Sequence, residues 1–332
     1  MSTASVERLR PIESPRESGR NAGIPLDLDW LNHVRVNRSA VERRTAALTS
    51  RRTVKREWQA AWFLRAIRCL DLTTLSGDDL PARVRRLCSK ARQPVRDDLL
   101  SAMDVNDLGI TAAAVCVYPT MVPSAAQALS GSGIPVASVA AGFPAGLSPL
   151  KSRLGEITFA IEAGAAEIDA VITREHVLTG NWDRLYDEVA SFRAASGEAC
   201  LKIILATGEL ATLRDVQKAS LVAMMAGADF VKTSTGKEMV NATLETGLTV
   251  VRAIREYRQQ TGYRVGFKAA GGIRRAKEAL QWLILLKEEL GREWLEPELF
   301  RIGASTLLND IERQLEHWVT GRYSASYRHP TG

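Results

Sequence analysis

Apolar and polar positions follow two regimes along this chain. Before residue 66 the apolar residues recur at helical spacing. Leu28, Leu31, Val34 and Val41 do so within 26–49, and Trp58, Trp62 and Phe63 share one side of 54–66. The first stretch reads as one helix or two short ones. The aromatics of the second are expected to cap the domain that follows. From residue 67 apolar runs alternate with amphipathic segments. The runs at 67–71, 111–117, 134–140, 166–172, 200–206, 228–232, 264–268 and 299–303 read as strands. The segments 78–92, 121–131, 149–164, 181–196, 210–226, 240–261, 273–290 and 305–319 read as helices. Eight strand–helix units in about 250 residues predict an α/β fold, a closed (β/α)8 TIM barrel with an N-terminal helical extension. The rival is an open doubly wound sheet, which usually opens with a Gly-x-Gly-x-x-Gly turn after its first strand. Here Asp71-Leu72-Thr73-Thr74-Leu75 stands at that place.

Four segments follow. Residues 1–23, low in apolar content, are expected to be disordered. Residues 24–66 form a helical extension packed on the barrel, 67–319 form the barrel, and 320–332 form a polar tail with Tyr323 and Tyr327.

Composition changes this picture little. In 332 residues the chain is 45% hydrophobic and 25% charged, ordinary for a globular protein. The net charge of +6 gathers in 35–56, where Arg35, Arg38, Arg43, Arg44, Arg51, Arg52, Lys55 and Arg56 face Glu42 alone. That segment is the sole hint of a nucleic-acid partner, and a solvated basic helix is the simpler reading. Cys69, Cys88, Cys116 and Cys200 show no metal or redox spacing, and the four histidines are scattered, so neither metal nor cofactor is expected. No apolar run is long enough to cross a membrane, and no secretory signal is expected at the N-terminus. A cytoplasmic location follows from these expectations. The sequence leaves the number of subunits open, with a homo-oligomer among the options.

Candidate chemistry comes from strand parity. Alternate side chains of a barrel strand face the interior. On 200–206, Leu201, Ile203 and Leu205 form an aliphatic set suited to the helix layer, so Lys202 points inward. The same argument sends Asp169, Lys232 and Lys268 inward from their strands, and puts Glu167 on the face of Asp169. Neighbouring strands lie about 4.8 Å apart, so these groups can touch. Asp169 can pair with Lys202, which leaves Lys232 and Lys268 as a cationic pair. Repulsion and desolvation would depress a lysine pKa there. A neutral lysine attacks a carbonyl carbon and forms a Schiff base. Such an iminium is an electron sink for C–C cleavage, so the residues suggest a metal-free aldolase. Cys116, at the end of its strand, is expected to face the same cavity.

A phosphate site is expected beside it. Gly271-Gly272-Ile273-Arg274 follows the seventh strand, and Gly303-Ala304-Ser305-Thr306 follows the eighth. Barrels commonly hold phosphate at these loops. Gly236 and Lys237, after the sixth strand, add an N–H and a charge.

Several stretches together resemble one known family, deoxyribose-phosphate aldolase in its eukaryotic-type branch. They are Asp229-Phe230-Val231-Lys232-Thr233-Ser234-Thr235-Gly236-Lys237, Gly266-Phe267-Lys268-Ala269-Ala270-Gly271-Gly272-Ile273-Arg274, Leu70-Asp71-Leu72-Thr73-Thr74-Leu75, Val115-Cys116-Val117-Tyr118-Pro119, Ala166-Glu167-Ile168-Asp169 and Gly303-Ala304-Ser305. The resemblance runs from about residue 55 to 328. It implies a class I lyase that cleaves 2-deoxy-D-ribose 5-phosphate to D-glyceraldehyde 3-phosphate and acetaldehyde. By this match Lys232 is the Schiff-base nucleophile, and Lys268 tunes its pKa and transfers protons. Asp169 is the general acid/base, oriented by Lys202. Asp71 and Thr73 line the substrate pocket, while Gly236, Lys237, Gly271, Gly272, Ser305 and Thr306 hold the phosphate. Ala269 stands where the family commonly has proline, and the family's tail can carry a tyrosine to the site, which points to Tyr323 or Tyr327. Other readings are a transaldolase-like or pyridoxal-phosphate barrel, and an RNA- or protein-interaction module on an inactive barrel.

Overall fold

The structure, a computed structural model, describes residues 20–51 and 53–329. Most of the stretch expected to be disordered, 1–19, lies outside the described residues. Residues 20–23 are described, with Arg20 and Ala22 exposed. Asn21 is buried and its side-chain amide donates to Met224 O at 2.7 Å and Ala228 O at 2.9 Å.

The extension holds three helices: α1 (Leu28–His33), α2 (Arg38–Arg51) and α3 (Arg56–Arg68). The segment 26–49 is therefore two helices. Asp27 caps α1 by accepting from Trp30 N at 2.8 Å, and Asn37 accepts from Ala40 N at 3.0 Å to start α2. Two capping side chains in one stretch break it between Val34 and Asn37. Leu31, Val41 and Leu48 are buried. Arg44 pairs with Glu289 at 2.9 Å and Arg38 with Glu42 at 2.8 Å, so part of the basic segment is neutralised within the molecule.

The barrel follows in order. Strand β1 (Leu70–Thr73) leads to α4 (Pro81–Arg92) and the short α5 (Asp97–Ala102). Then come β2 (Ala114–Val117) with α6 (Val122–Leu129), and β3 (Val136–Ala140) with α7 (Leu150–Glu162). Strand β4 (Glu167–Val171) leads to α8 (Arg174–Leu178) and α9 (Trp182–Ser196), and β5 (Cys200–Ile204) to α10 (Leu213–Met225). The set closes with β6 (Phe230–Lys232), α11 (Leu244–Thr261), β7 (Gly266–Ala270), α12 (Ala276–Leu290), β8 (Phe300–Ala304) and α13 (Leu307–Thr320). All eight strands are parallel and form a closed barrel in chain order.

Strand β1 begins three residues later than expected. Ile67 and Arg68 finish α3, because Leu64 and Ile67 lie on its buried face. An apolar run alone does not separate a helix end from a strand start. In the tail Ser324 and His329 are buried, and His329 Nε2 lies 2.6 Å from Glu316 on α13. Tyr323 and Tyr327 are exposed, and Tyr323 stacks on His317.

Candidate active site

Alternation along the strands sends every second side chain into the barrel, and the parallel register brings those side chains level. Asp169 lies opposite Lys202, Lys232 opposite Lys268, and Lys268 opposite Arg301. The interior groups form a closed ring of alternating charge. Lys202 Nζ donates to Glu167 Oε2 at 2.6 Å and to Asp169 Oδ1 at 2.9 Å. Lys268 donates to Asp169 Oδ2 at 2.7 Å and to Asp71. Arg301 closes the circle. It reaches Asp71 Oδ1 at 2.7 Å and grips Glu167 with two nitrogens at 2.8 and 3.1 Å. Lys232 Nζ then donates to Asp169 Oδ2 at 2.7 Å, on the oxygen that Lys268 also uses.

Electrostatics follow from this wiring. Burial opposes the charge on Asp169, but Lys202, Lys232 and Lys268 outweigh it and hold the carboxyl well below the usual carboxylate range. The same contest, won by Lys268 and Arg301, lowers Asp71. Won by Arg301 and Lys202, it lowers Glu167. Burial also opposes the charge on Lys268 and Lys202, yet Asp169 with Asp71, and Asp169 with Glu167, hold these ammonium groups above the ordinary lysine range. Repulsion between the two lysines is therefore outweighed at Lys268, because Asp71 and Asp169 flank it. The three carboxylates balance Lys202, Lys268 and Arg301. Lys232 stands outside this balance as a further cation, and it is the one that reaches the cavity.

A cavity of about 330 Å³ opens above the ring. Of the seven charged groups only Lys232 lines it. Thr73, Gly236, Lys237, Gly271, Gly272, Ser305 and Thr306 line it, together with Thr74, Leu75, Ser76 and Arg274. At its far end Gly271 and Gly272 both hold φ near +80°, which aims successive N–H groups at one space. Those two N–H groups, and those of Ser305 and Thr306, have no acceptor among the described residues. Gly236 differs. Its N–H already donates to Glu238 Oε2 at 3.1 Å.

Two expected pocket residues lie elsewhere. Asp71 is fully buried in the ring, beneath the cavity, because Lys268 and Arg301 draw it in. Cys116 is also fully buried and packs with Ala114, Ala137 and Val139 instead of on the cavity wall. Burial, with Asp169 adding to it, pushes its thiol up to about 11. Neither Tyr323 nor Tyr327 lines the cavity.

Sequence reasoning missed the roles of Glu167 and Arg301. Both had a visible signal. Glu167 shares the inward face of Asp169. Arg301 interrupts the apolar run Phe300-Arg301-Ile302-Gly303, and its parity also points inward.

Fold and site together define a closed (β/α)8 barrel whose cavity is lined both by Lys232 and by the glycine loops after β7 and β8. Residues 65–312 match the family described as DeoC/LacD family aldolase. Over 315 residues the chain is 61% identical to a human protein named deoxyribose-phosphate aldolase, covering 94% of this chain and 99% of that one. The chain belongs to the DeoC/LacD family of aldolases. In fold it resembles a Toxoplasma gondii crystal structure, with a TM-score of 0.68 at 21% identity over 80% of this chain and 98% of that one. A deoxyribose phosphate aldolase from Aeropyrum pernix, described as tetrameric, aligns with a TM-score of 0.56 at 21% identity over 84% of this chain and 99% of its own.

Proposed function

We infer that this chain cleaves 2-deoxy-D-ribose 5-phosphate reversibly to D-glyceraldehyde 3-phosphate and acetaldehyde, through a Schiff base on Lys232. The observation that carries the reading is the single lysine of the charge ring that meets the cavity. The relatives' names supply the sugar.

In the neutral form Lys232 Nζ attacks C1 of the open-chain sugar. Loss of water gives an iminium at C1. Asp169, acting through water, takes the proton of the C3 hydroxyl, and Lys268 holds and returns protons on the same carboxylate oxygen. The C2–C3 electron pair moves into the iminium as the bond breaks. D-Glyceraldehyde 3-phosphate leaves, and an enamine remains on Lys232. Protonation at C2 and hydrolysis release acetaldehyde and the free amine. Lys202 and Glu167 fix the other side of Asp169. Lys237, Gly271, Gly272, Ser305 and Thr306 hold the phosphate. The loop N–H groups suit its charge, and its fixed distance from Lys232 sets the reacting carbonyl.

Borohydride added with 2-deoxyribose 5-phosphate should leave a reduced adduct on Lys232 alone, read by peptide mass spectrometry. An adduct elsewhere, or full activity in Lys232→Leu, would sink the mechanism. Acetaldehyde release from this sugar should far exceed turnover of ribose 5-phosphate. We also propose a homo-oligomer, for which the tetrameric A. pernix protein is the support. A cytoplasmic location fits four free cysteines, and fractionation of cells expressing the chain would test it.

A further inference from the structure

The loop between β6 and α11 is closed by its own side chains. Gly236 sits at φ +86°, a conformation that turns neighbouring N–H groups toward a common point. Such a nest is an anion site. Here an anion already fills it: the Glu238 carboxylate accepts from Thr235 N at 2.9 and 3.1 Å and from Gly236 N at 3.1 Å. Glu238 is 9% exposed. The third N–H of the turn, that of Lys237, donates to Thr235 Oγ1 at 3.1 Å. The three N–H groups of the Thr235–Lys237 turn are thus all taken. The loop presents one cation instead, the Lys237 ammonium, which spans the cavity edge to Leu75 O at 2.9 Å. Asn241 braces the same loop by donating to Glu238 O at 2.9 Å, and its side chain packs against Gly271.

We propose that Glu238 is a positioning and specificity-determining residue of the phosphate site. By occupying the Thr235–Gly236 nest it keeps ligand anions out of the β6 corner. It also fixes the turn that aims Lys237 at the corner formed by the loops after β7 and β8. One phosphate then has one place to bind, at one distance from Lys232. This rests on the reading of the cavity as a phosphosugar site.

The test uses the full chain. Glu238→Ala frees two N–H groups and loosens the turn. Glu238→Gln removes the charge but keeps an accepting oxygen. The first readout is inorganic phosphate binding by calorimetry. The second is the ratio of kcat/KM for 2-deoxyribose 5-phosphate to that for unphosphorylated 2-deoxyribose. In Glu238→Ala both should fall about fivefold, the scale of one lost polar contact. Glu238→Gln should stay within about twofold of wild type. The proposal is overturned if Glu238→Ala binds phosphate as tightly as wild type or more tightly, or if both sugars lose equally, as a merely structural role would give. If wild type binds phosphate but releases no acetaldehyde, the substrate assignment falls instead, and phosphate binding alone decides the role of Glu238.

Discussion

Arg301 touches no part of the cavity, yet it grips Asp71 and Glu167 and so joins both arms that converge on Asp169. Removing one partner of a buried ion pair leaves charge uncompensated, a loss of about 3–5 kcal/mol. Arg301→Met should therefore destabilise the protein strongly and lower kcat by about a hundredfold with little change in KM, since it disturbs proton transfer rather than substrate contact. Arg301→Lys restores charge without the fork and should recover part of both. The pH dependence has a definite sign. Asp71, Glu167 and Asp169 titrate below their unfolded values, so their contribution is present above about pH 4 and lost as pH falls below it. Lys202 and Lys268 titrate above theirs, so their contribution is present below about pH 10 and lost above it. The ring's own contribution to thermal melts of wild type should be level between these limits. In Arg301→Met the acid limb should move to higher pH, because two carboxylates lose a cation. An unmoved limb would refute the ring as a unit.

At the scale of elements, strand parity makes Asp169, Lys202, Lys232 and Lys268 legible in the sequence, because a barrel strand has only two faces. Where a helix meets a strand, parity fails. The Ile67-Arg68-Cys69-Leu70 stretch is apolar enough for either, and packing of α3 decides it. The short α5 and α8 are not legible, since six and five residues carry too little periodicity. The strap before α1 has the composition of loose chain, yet it is anchored. Its anchor is a glycine: Gly23 has φ +75°, and a Cβ there would stand 2.4 Å from Met225 O. Ile24 N donates to that same oxygen at 2.8 Å. Gly23→Ala should cost about 1–3 kcal/mol from the left-handed backbone alone. The measurement is a denaturant melt combined with hydrogen exchange at Ile24. Unchanged protection there would show that the strap does not depend on Gly23.

At the scale of the whole molecule, the extension grips the barrel through Asn21, Ile24, Trp30 and Arg44, which reach α10, α11 and α12. Among the described residues no helix is long and apolar enough to cross a membrane. Assembly of copies is tested by light scattering of the purified chain. A mass that is a multiple of 36.4 kDa is expected, and a lone 36.4 kDa species would remove the oligomer proposal.

The order of the eight strand–helix units, the inward lysines and the glycine loops were all determined by the sequence, because hydrophobic period and backbone freedom are local properties. Which charges pair was decided only by the tertiary structure. Lys232 and Lys268 read as neighbours that repel, until closure of the barrel brings Asp71 from β1, Glu167 from β4 and Arg301 from β8 into one ring. The loop after β6 reads as an open phosphate cradle, until folding places Glu238 in it. Both outcomes depend on distances across the chain, and in a low-dielectric interior those distances set the charge of every group.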